Sequence, residues 1–480
     1  MEAVKLAGLE PAAVFGYFEK ICSIPHGSGN TKMISDYLVS FAEEQDLQYI
    51  QDELNNVILF GDGTCGMEDH APVILQGHMD MVCEKDADCA LNMDVDGLDV
   101  THDGSFVFAK GTTLGGDDGI AVAYALALLA DKSIPHPPLE VVITVDEETG
   151  LYGANGVDLS ALKGRTLINI DSEEEGIFTV SCAGGARASI SLPVERRAVY
   201  GPCIRLVVDG LQGGHSGVEI HMNRANANKV MGEFMSRIQK LMPLCLTSLS
   251  GGAKDNAIPR SCQATLVAMG IHLERINDIA AELQAEIREQ YDEPEAVIQA
   301  FDVDALGGNS LTTECTAKII GLLCAAPNGV QSWSADIPGL VQTSLNMGIA
   351  KLGERFKVTF SVRSSVNQEK EELLQRLRTL CDFYEGSYGQ TGEYPAWEYK
   401  QESALRDTMV RVYTEMFGKA PKVLAIHAGL ECGLFSEKVP GLDCISIGPQ
   451  MYDIHTSRER LDIASTERTW KFLLEVLKVL

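Results

Sequence analysis

PVILQGHMD, residues 72–80, is a run of strand length that passes abruptly from apolar side chains to a histidine and an aspartate. Val73, Ile74 and Leu75 in succession suit a strand covered on both faces, as in a parallel sheet, better than one with a wet face. Three further runs share the pattern: VVITV (141–145) leads into Asp146, Glu147 and Glu148, LINI (167–170) into Asp171, and CISI (444–447) through GPQMYDI to His455. A fifth cluster, Gly115-Gly116-Asp117-Asp118-Gly119, opens the apolar helical run Ile120–Ala130. Ligands of open parallel sheets bind beyond the carboxyl ends of the strands, so all five clusters are expected on one sheet edge.

The residue types point to a chemistry. Two divalent ions about 3.5–4 Å apart need a shared carboxylate, and each needs further His or carboxylate donors. His78, an aspartate of the 117–118 pair, one of Glu147 and Glu148, Asp171 and His455 would supply both ions. Each cluster has a blander explanation. A His-x-Asp pair ends many strands, Asp117-Asp118-Gly119 could cap a helix start, Glu147-Glu148 could be a solvated turn, and Asp171 opens the charge run DSEEE. A charge leaving a buried strand is costly unless paired, however, and five such coincidences along one edge argue for a metal site. Adjacent carboxylates point different ways, so one of Glu147 and Glu148 can hold metal while the other faces water.

Composition excludes other classes. The 480 residues carry 39 basic and 68 acidic side chains, a formal charge of −29 that repels nucleic acid and anionic membranes. A hydrophobic fraction of 45% is ordinary for globular proteins. The 13 cysteines are scattered without a C-x-x-C pair, and the N-terminal residues lack the basic region and apolar core of a secretory signal. Reduced thiols and a cytoplasmic location are expected, and no run is long enough to span a membrane.

Three regions are predicted. Residues 1–185 alternate strand runs with helical patterns such as Lys32–Glu44, giving an α/β fold: a mostly parallel sheet with helices on both faces. Residues 186–390 change texture, with alternating strands at Ala186–Leu192 and Lys357–Arg363 and amphipathic helices at Ala225–Leu241 and Arg275–Arg288. This reads as an α+β lid domain, ending after helix Glu369–Tyr384 in GSYGQTGEYPAW (386–397). Residues 391–480 return to helix (Ala404–Phe417), strand (Lys422–Ile426), strand (Cys444–Ile447) and helix (Thr466–Val479). If His455 joins the other ligands, this segment completes the first sheet and the lid is an insertion.

LQGHMDMV, KGTTLGGDDGI, TVDEETG, LINIDSEEEG, CAGG, GGHSGVEIH, DNAIPR, HAGLECGLF and SIGP together resemble the aminoacyl-histidine dipeptidases of the di-zinc aminoacylase and carboxypeptidase clan, in order from about residue 20 to His455. The resemblance implies that Asp117 bridges two zinc ions, with His78 and Asp171 on one and Glu148 and His455 on the other. It implies that Asp80 orients His78, that Glu147 is the general base, and that His215 stabilises the oxyanion, often from a partner subunit. Asn256 and Arg363 would hold the substrate main chain and carboxylate, with His427 and Glu431 lining the pocket. Read alone, His215 is a surface-loop histidine, and Arg363 shares a solvated face with Lys357, Thr359 and Ser361. Asp118 stands where relatives often carry Asn, which adds charge beside the bridge.

The expected function is hydrolysis of unblocked dipeptides, Xaa-His among them, by a homodimer using zinc, with cobalt or manganese as substitutes. The competing readings are an amidase or carboxypeptidase acting on N-acylated amino acids, and a non-catalytic zinc- or peptide-binding protein, which would have no use for Glu147.

Overall fold

The computed structural model describes residues 5–268, 272–304 and 307–480, which form two compact units. The first takes the chain up to Ser181, then Tyr399–Ala425 and Leu430–Leu480; the second takes Cys182–Glu398 and the short stretch Ile426–Gly429.

The first unit is built on an eight-stranded sheet. In spatial order its strands are Gln48–Gln51, Val57–Gly61, Leu139–Thr144, Val73–His78, Thr166–Asn169, Asp443–Ser446, Ile177–Cys182 and Lys422–Ile426. The four central strands, 139–144, 73–78, 166–169 and 443–446, pair in parallel, while the pairs 48–51 with 57–61, 57–61 with 139–144, and 443–446 with 177–182 are antiparallel. The strands at 73–78 and 139–144 are buried at every position, as the unbroken apolar runs required. Their register decides where the site lies. Val73 pairs with both Leu139 and Thr166, His78 with Thr144, and Ser446 with Asn169, so all four strands finish nearly level.

Helix Gly116–Ala130 is buried along almost its whole length and packs on the strands 73–78 and 139–144, with helix Ala12–Cys22 against it through Phe15, Phe18 and Ile21. The C-terminal helix Ile463–Leu477 joins this core: Tyr124 donates its hydroxyl to the Thr466 carbonyl at 2.9 Å and stacks on Trp470, ring centroids 5.7 Å apart.

The second unit carries a nine-stranded antiparallel sheet, in the order 297–303, 203–209, 262–268, 244–251, 341–352, 355–364, 184–193 and 387–394, with 329–333 added on strand 341–352. On strand Arg355–Ser364, Val358, Phe360 and Val362 are fully buried while Lys357 is exposed and Ser361 and Arg363 are partly so, the alternation of a sheet with one covered face. Helices Ala227–Gln239, Leu273–Tyr291, Thr313–Ala325 and Asn367–Phe383 contribute Phe234, Ile276, Leu322 and Leu377 to the same core. GSYGQTGEYPAW, which sequence patterning marks as the end of a domain, forms edge strand Ser387–Tyr394 on strand 184–193, and the main segment of the second unit ends just beyond it at Glu398. An edge strand needs only one pairing partner, and this one is polar and mostly exposed, so it carries no apolar alternation.

Tyr124→Ala should destabilise the protein by about 3–5 kcal/mol, the usual cost of truncating a buried aromatic side chain. The midpoint of urea unfolding, read with an unchanged slope, checks this.

Candidate metal centre and its surroundings

His78 is the last residue of its strand and is buried. Its Nδ1 faces the main-chain carbonyl of Asp80 at 2.9 Å, with the Asp80 carboxylate next at 3.4 Å. A carbonyl only accepts, so Nδ1 carries a proton, and a metal would take the place of the second proton on Nε2. The resemblance assigned this orienting role to the Asp80 carboxylate; the closer acceptor is the backbone oxygen of the same residue.

Asp117 stands at the start of the buried helix 116–130, in a non-helical conformation, with a cis peptide to Asp118. Four features place it. Gly115 has φ +69°, and a side chain there would press on Met81 Sδ at 2.9 Å, so the turn requires glycine. Gly77 lets the helix start approach the strand, because a Cβ would strike the Asp118 carboxylate and Ala121. Asp118 itself accepts from the His78 backbone N–H at 3.1 Å. The fourth feature comes from far along the chain: the buried Glu459 carboxylate accepts from the backbone N–H groups of Leu114 (2.7 Å), Gly115 (3.2 Å) and Gly116 (2.8 Å). Burial pushes the Glu459 carboxyl up to about 7 against the pull of these amides. The helix start is thus held by a distant glutamate, and not by Asp117 or Asp118 capping it.

Beyond strand 139–144, Asp146 takes a left-handed φ of +53°, which turns Glu147 and Glu148 off the sheet. The Glu147 N–H donates to Asp80 Oδ1 at 3.1 Å. Asp171 lies two residues past strand 166–169, and His455, with φ +58°, lies in the loop after strand Met451–Tyr452.

These residues converge on Asp117. One of its carboxylate oxygens lies 3.2 Å from His78 Nε2, and the other lies 3.2 Å from His455 Nε2. His78 Nε2 is also 3.6 Å from Asp171, and His455 Nε2 is 2.7 Å from Glu148. Donor atoms of Asp117, Glu148 and His455 lie within 4.8 Å of one another, as do those of His78, Asp118 and Asp171, and of His78, Glu147 and Glu148. Donors about 2.0–2.1 Å from a tetrahedral zinc would be about 3.3 Å apart, so the spacings around Asp117 and His78 suit such an ion.

The electrostatics also favour cations. Among the described residues no lysine or arginine pairs with these carboxylates, whose salt-bridge partners are the two imidazoles. Burial works against a charged His78, but Asp117, Asp171 and Asp80 outweigh it and hold the imidazole well above its ordinary value; Asp117 and Glu148 push His455 up to about 10. Burial opposes ionisation of Asp117 too, yet the two histidines hold it low. Burial, with neighbouring negative charge, pushes Asp171 up to about 6, Glu173 up to about 7 and Glu147 well above the carboxylate range. The N and O donors fit zinc, manganese or cobalt.

The remaining expected residues separate. Glu431 belongs to the first unit, fully buried: Thr144 Oγ1 donates to it at 2.8 Å, Gln76 also donates to it, and burial pushes it up to about 8. It stands close enough to His78, Asp171 and Glu147 for their charges to act on one another. His215, Asn256, Arg363 and His427 belong to the second unit. Burial and Arg363 hold His215 below its ordinary value and push His427 down to about 3, so both rings are neutral near pH 7. His215 Nδ1 accepts from the N–H groups of Gly217 (3.1 Å) and Val218 (3.2 Å), which leaves the proton on Nε2. Arg363 donates to Tyr394 Oη at 3.1 Å, and His427 Nε2 meets Ser344 Oγ at 2.7 Å. Asn256 is exposed, and its carbonyl accepts from the Ser216 N–H.

Sequence reasoning missed Glu459. It sits in SRER, a polar stretch with no periodicity, and its partners are backbone amides, which leave no mark in side-chain patterning. Its only available signal was a glutamate four residues beyond a candidate ligand.

A family model described as peptidase family M20/M25/M40 matches residues 74–479. The cytosol non-specific dipeptidase of Escherichia coli K12 is 36% identical over 479 residues, 99% of each chain. The crystal structure of aminoacylhistidine dipeptidase from Vibrio alginolyticus matches with a TM-score of 0.93 and 34% identity, covering 99% of this chain and 98% of that one. The aminopeptidase PepT of Bacillus cereus, at 14% identity and a TM-score of 0.56 over 98% of each chain, shares the fold.

Glu459→Ala should leave the far-UV circular dichroism unchanged and weaken divalent-metal binding ~10–100-fold, the scale seen when partners of metal ligands are removed. Competition with a chromophoric chelator measures it.

Proposed function

The chain belongs to peptidase family M20/M25/M40, and from that premise we propose that it is a metal-dependent dipeptidase acting on unblocked dipeptides, Xaa-His among them. The observation that carries this reading is Asp117, which turns one oxygen to each of two histidines, with Glu147 beside the cluster. His78, Asp117 and Asp171 would hold one ion, and Asp117, Glu148 and His455 the other, zinc being the best match to the donors. Two such ions would polarise the scissile carbonyl and lower the pKa of a water towards about 7.

The chain's own groups do the rest. Glu147 takes the water's proton and returns it to the leaving amine; burial and negative neighbours raise its proton affinity, which suits a carboxylate that must hold a proton between two steps. His215, neutral with its proton on Nε2, is a suitable donor to the tetrahedral oxygen, from its own chain or a second copy. Arg363 and Asn256 are the proposed partners of the substrate carboxylate and main chain, and His427, held neutral, a wall of that pocket. The similarity to two dipeptidases over nearly the full chain favours free dipeptides over N-acylated amino acids. No helix among the described residues is long and apolar enough to cross a membrane, and the E. coli relative is named for the cytosol; a cytoplasmic homodimer is the proposed form.

Chelation should abolish hydrolysis of a Xaa-His dipeptide and zinc should restore it; activity that survives metal removal, verified by elemental analysis, would overturn the reading. Glu147→Gln should retain both metals and lose ~10²–10⁴-fold in kcat. Wild-type turnover in that variant would remove Glu147 from the mechanism.

A further inference from the structure

The segment Ile24-Pro25-His26-Gly27-Ser28-Gly29-Asn30 connects helices Ala12–Cys22 and Lys32–Glu44, and it supplies none of the groups assigned above. It nevertheless runs alongside the end of the His78 strand. Met81 N–H donates to the His26 carbonyl and Ser28 N–H to the Met81 carbonyl, both at 3.2 Å, with Gly27 and Met81 paired in parallel. From this position it reaches two residues that frame the reacting groups. Ser28 Oγ donates to Asp80 Oδ2 at 2.8 Å, and Gly29 N–H donates to Asp146 Oδ1 at 2.6 Å.

Asp80 is fully buried and divides its carboxylate between two tasks. Oδ2 takes the Ser28 hydroxyl, while Oδ1 takes the Glu147 N–H at 3.1 Å and lies 3.4 Å from His78 Nδ1. A carboxylate is planar and rigid, so fixing Oδ2 fixes where Oδ1 points. Asp146, whose left-handed turn presents Glu147, is held from the same loop. The direction of the Glu147 backbone and the environment of the His78 ring therefore share one external anchor.

We propose that Ser28 is a positioning residue: through Asp80 its hydroxyl aligns the His78 ligand with the Glu147 base. Resting on the dipeptidase reading, the proposal concerns the alignment of groups and not the binding of peptide. Loss of the hydroxyl acts on the chemical step and on metal retention, and it leaves the affinity for substrate alone.

The test compares Ser28→Ala, which removes the donor, with Ser28→Thr, which keeps it. In the zinc-loaded protein Ser28→Ala should lower kcat ~10–100-fold with KM within about twofold, and weaken zinc binding in chelator competition, while Ser28→Thr restores both. Should Ser28→Ala fail to fold, Ser28→Cys, with a weaker donor of similar size, should fall between serine and the loss of function. Wild-type kcat and zinc affinity in Ser28→Ala would overturn the proposal, as would an equal loss in Ser28→Thr or a change confined to KM. The zinc competition needs no substrate, so it separates failure of this proposal from failure of the dipeptidase reading, in which the wild-type protein would hydrolyse no dipeptide at all.

Discussion

Everything about the site follows from the position of Asp117, one carboxylate flanked by two imidazoles 3.2 Å from its two oxygens. Such an arrangement concentrates negative charge: Glu148 and Asp171 lie against the same histidines, and Glu147 and Glu173 stand close enough for their proton affinities to rise. In a buried setting like charges repel strongly, and the fold concentrates them without a lysine or arginine paired to them among the described residues. A protein that surrounds one carboxylate with others in this way is shaped for positive charge supplied from outside the polypeptide.

The scaffold that tolerates this is rigid where it matters. Four parallel strands finish nearly level, so short extensions past their ends bring His78, Glu148 and Asp171 together without long loops. Asp117 comes from a helix that is buried almost throughout, and its approach to the strand depends on Gly77. The second unit supplies chemistry of another kind. Burial and the neighbouring Arg363 hold both His215 and His427 below the ordinary imidazole range, so this unit gathers a guanidinium and two neutral rings.

Much of this was legible in the sequence because strands buried on both faces are unbroken apolar runs with sharp ends. VILQGH and VVITV announced their boundaries, and a charged residue just past such an end must have a partner. Helices Lys32–Glu44 and Ala404–Phe417 occupy the spans their periodicity marks. What escaped carries no periodic signal. Strand Ser387–Tyr394 is polar because it lies at an edge, and HAGLECG gives no indication that Glu431 is buried beneath Thr144 and Gln76. Glu459 and Ser28 act through backbone amides and a single carboxylate oxygen, contacts that pattern reading cannot see. The parallel character of the sheet was readable at its centre, where strands are covered on both faces, and not at its antiparallel flanks.

The participation of His455 and Glu459 has a consequence in time. Asp171 leaves the ribosome long before His455, and at about 5–20 residues per second the gap between them is on the order of tens of seconds. Throughout that interval a nascent chain displays Asp117 without its second imidazole, and the Leu114–Gly116 amides without the carboxylate that receives them. The half-built cluster offers one incomplete set of donors where the finished protein offers two. The full set of donors around Asp117 therefore exists only after synthesis has passed His455 and the C-terminal segment has folded back.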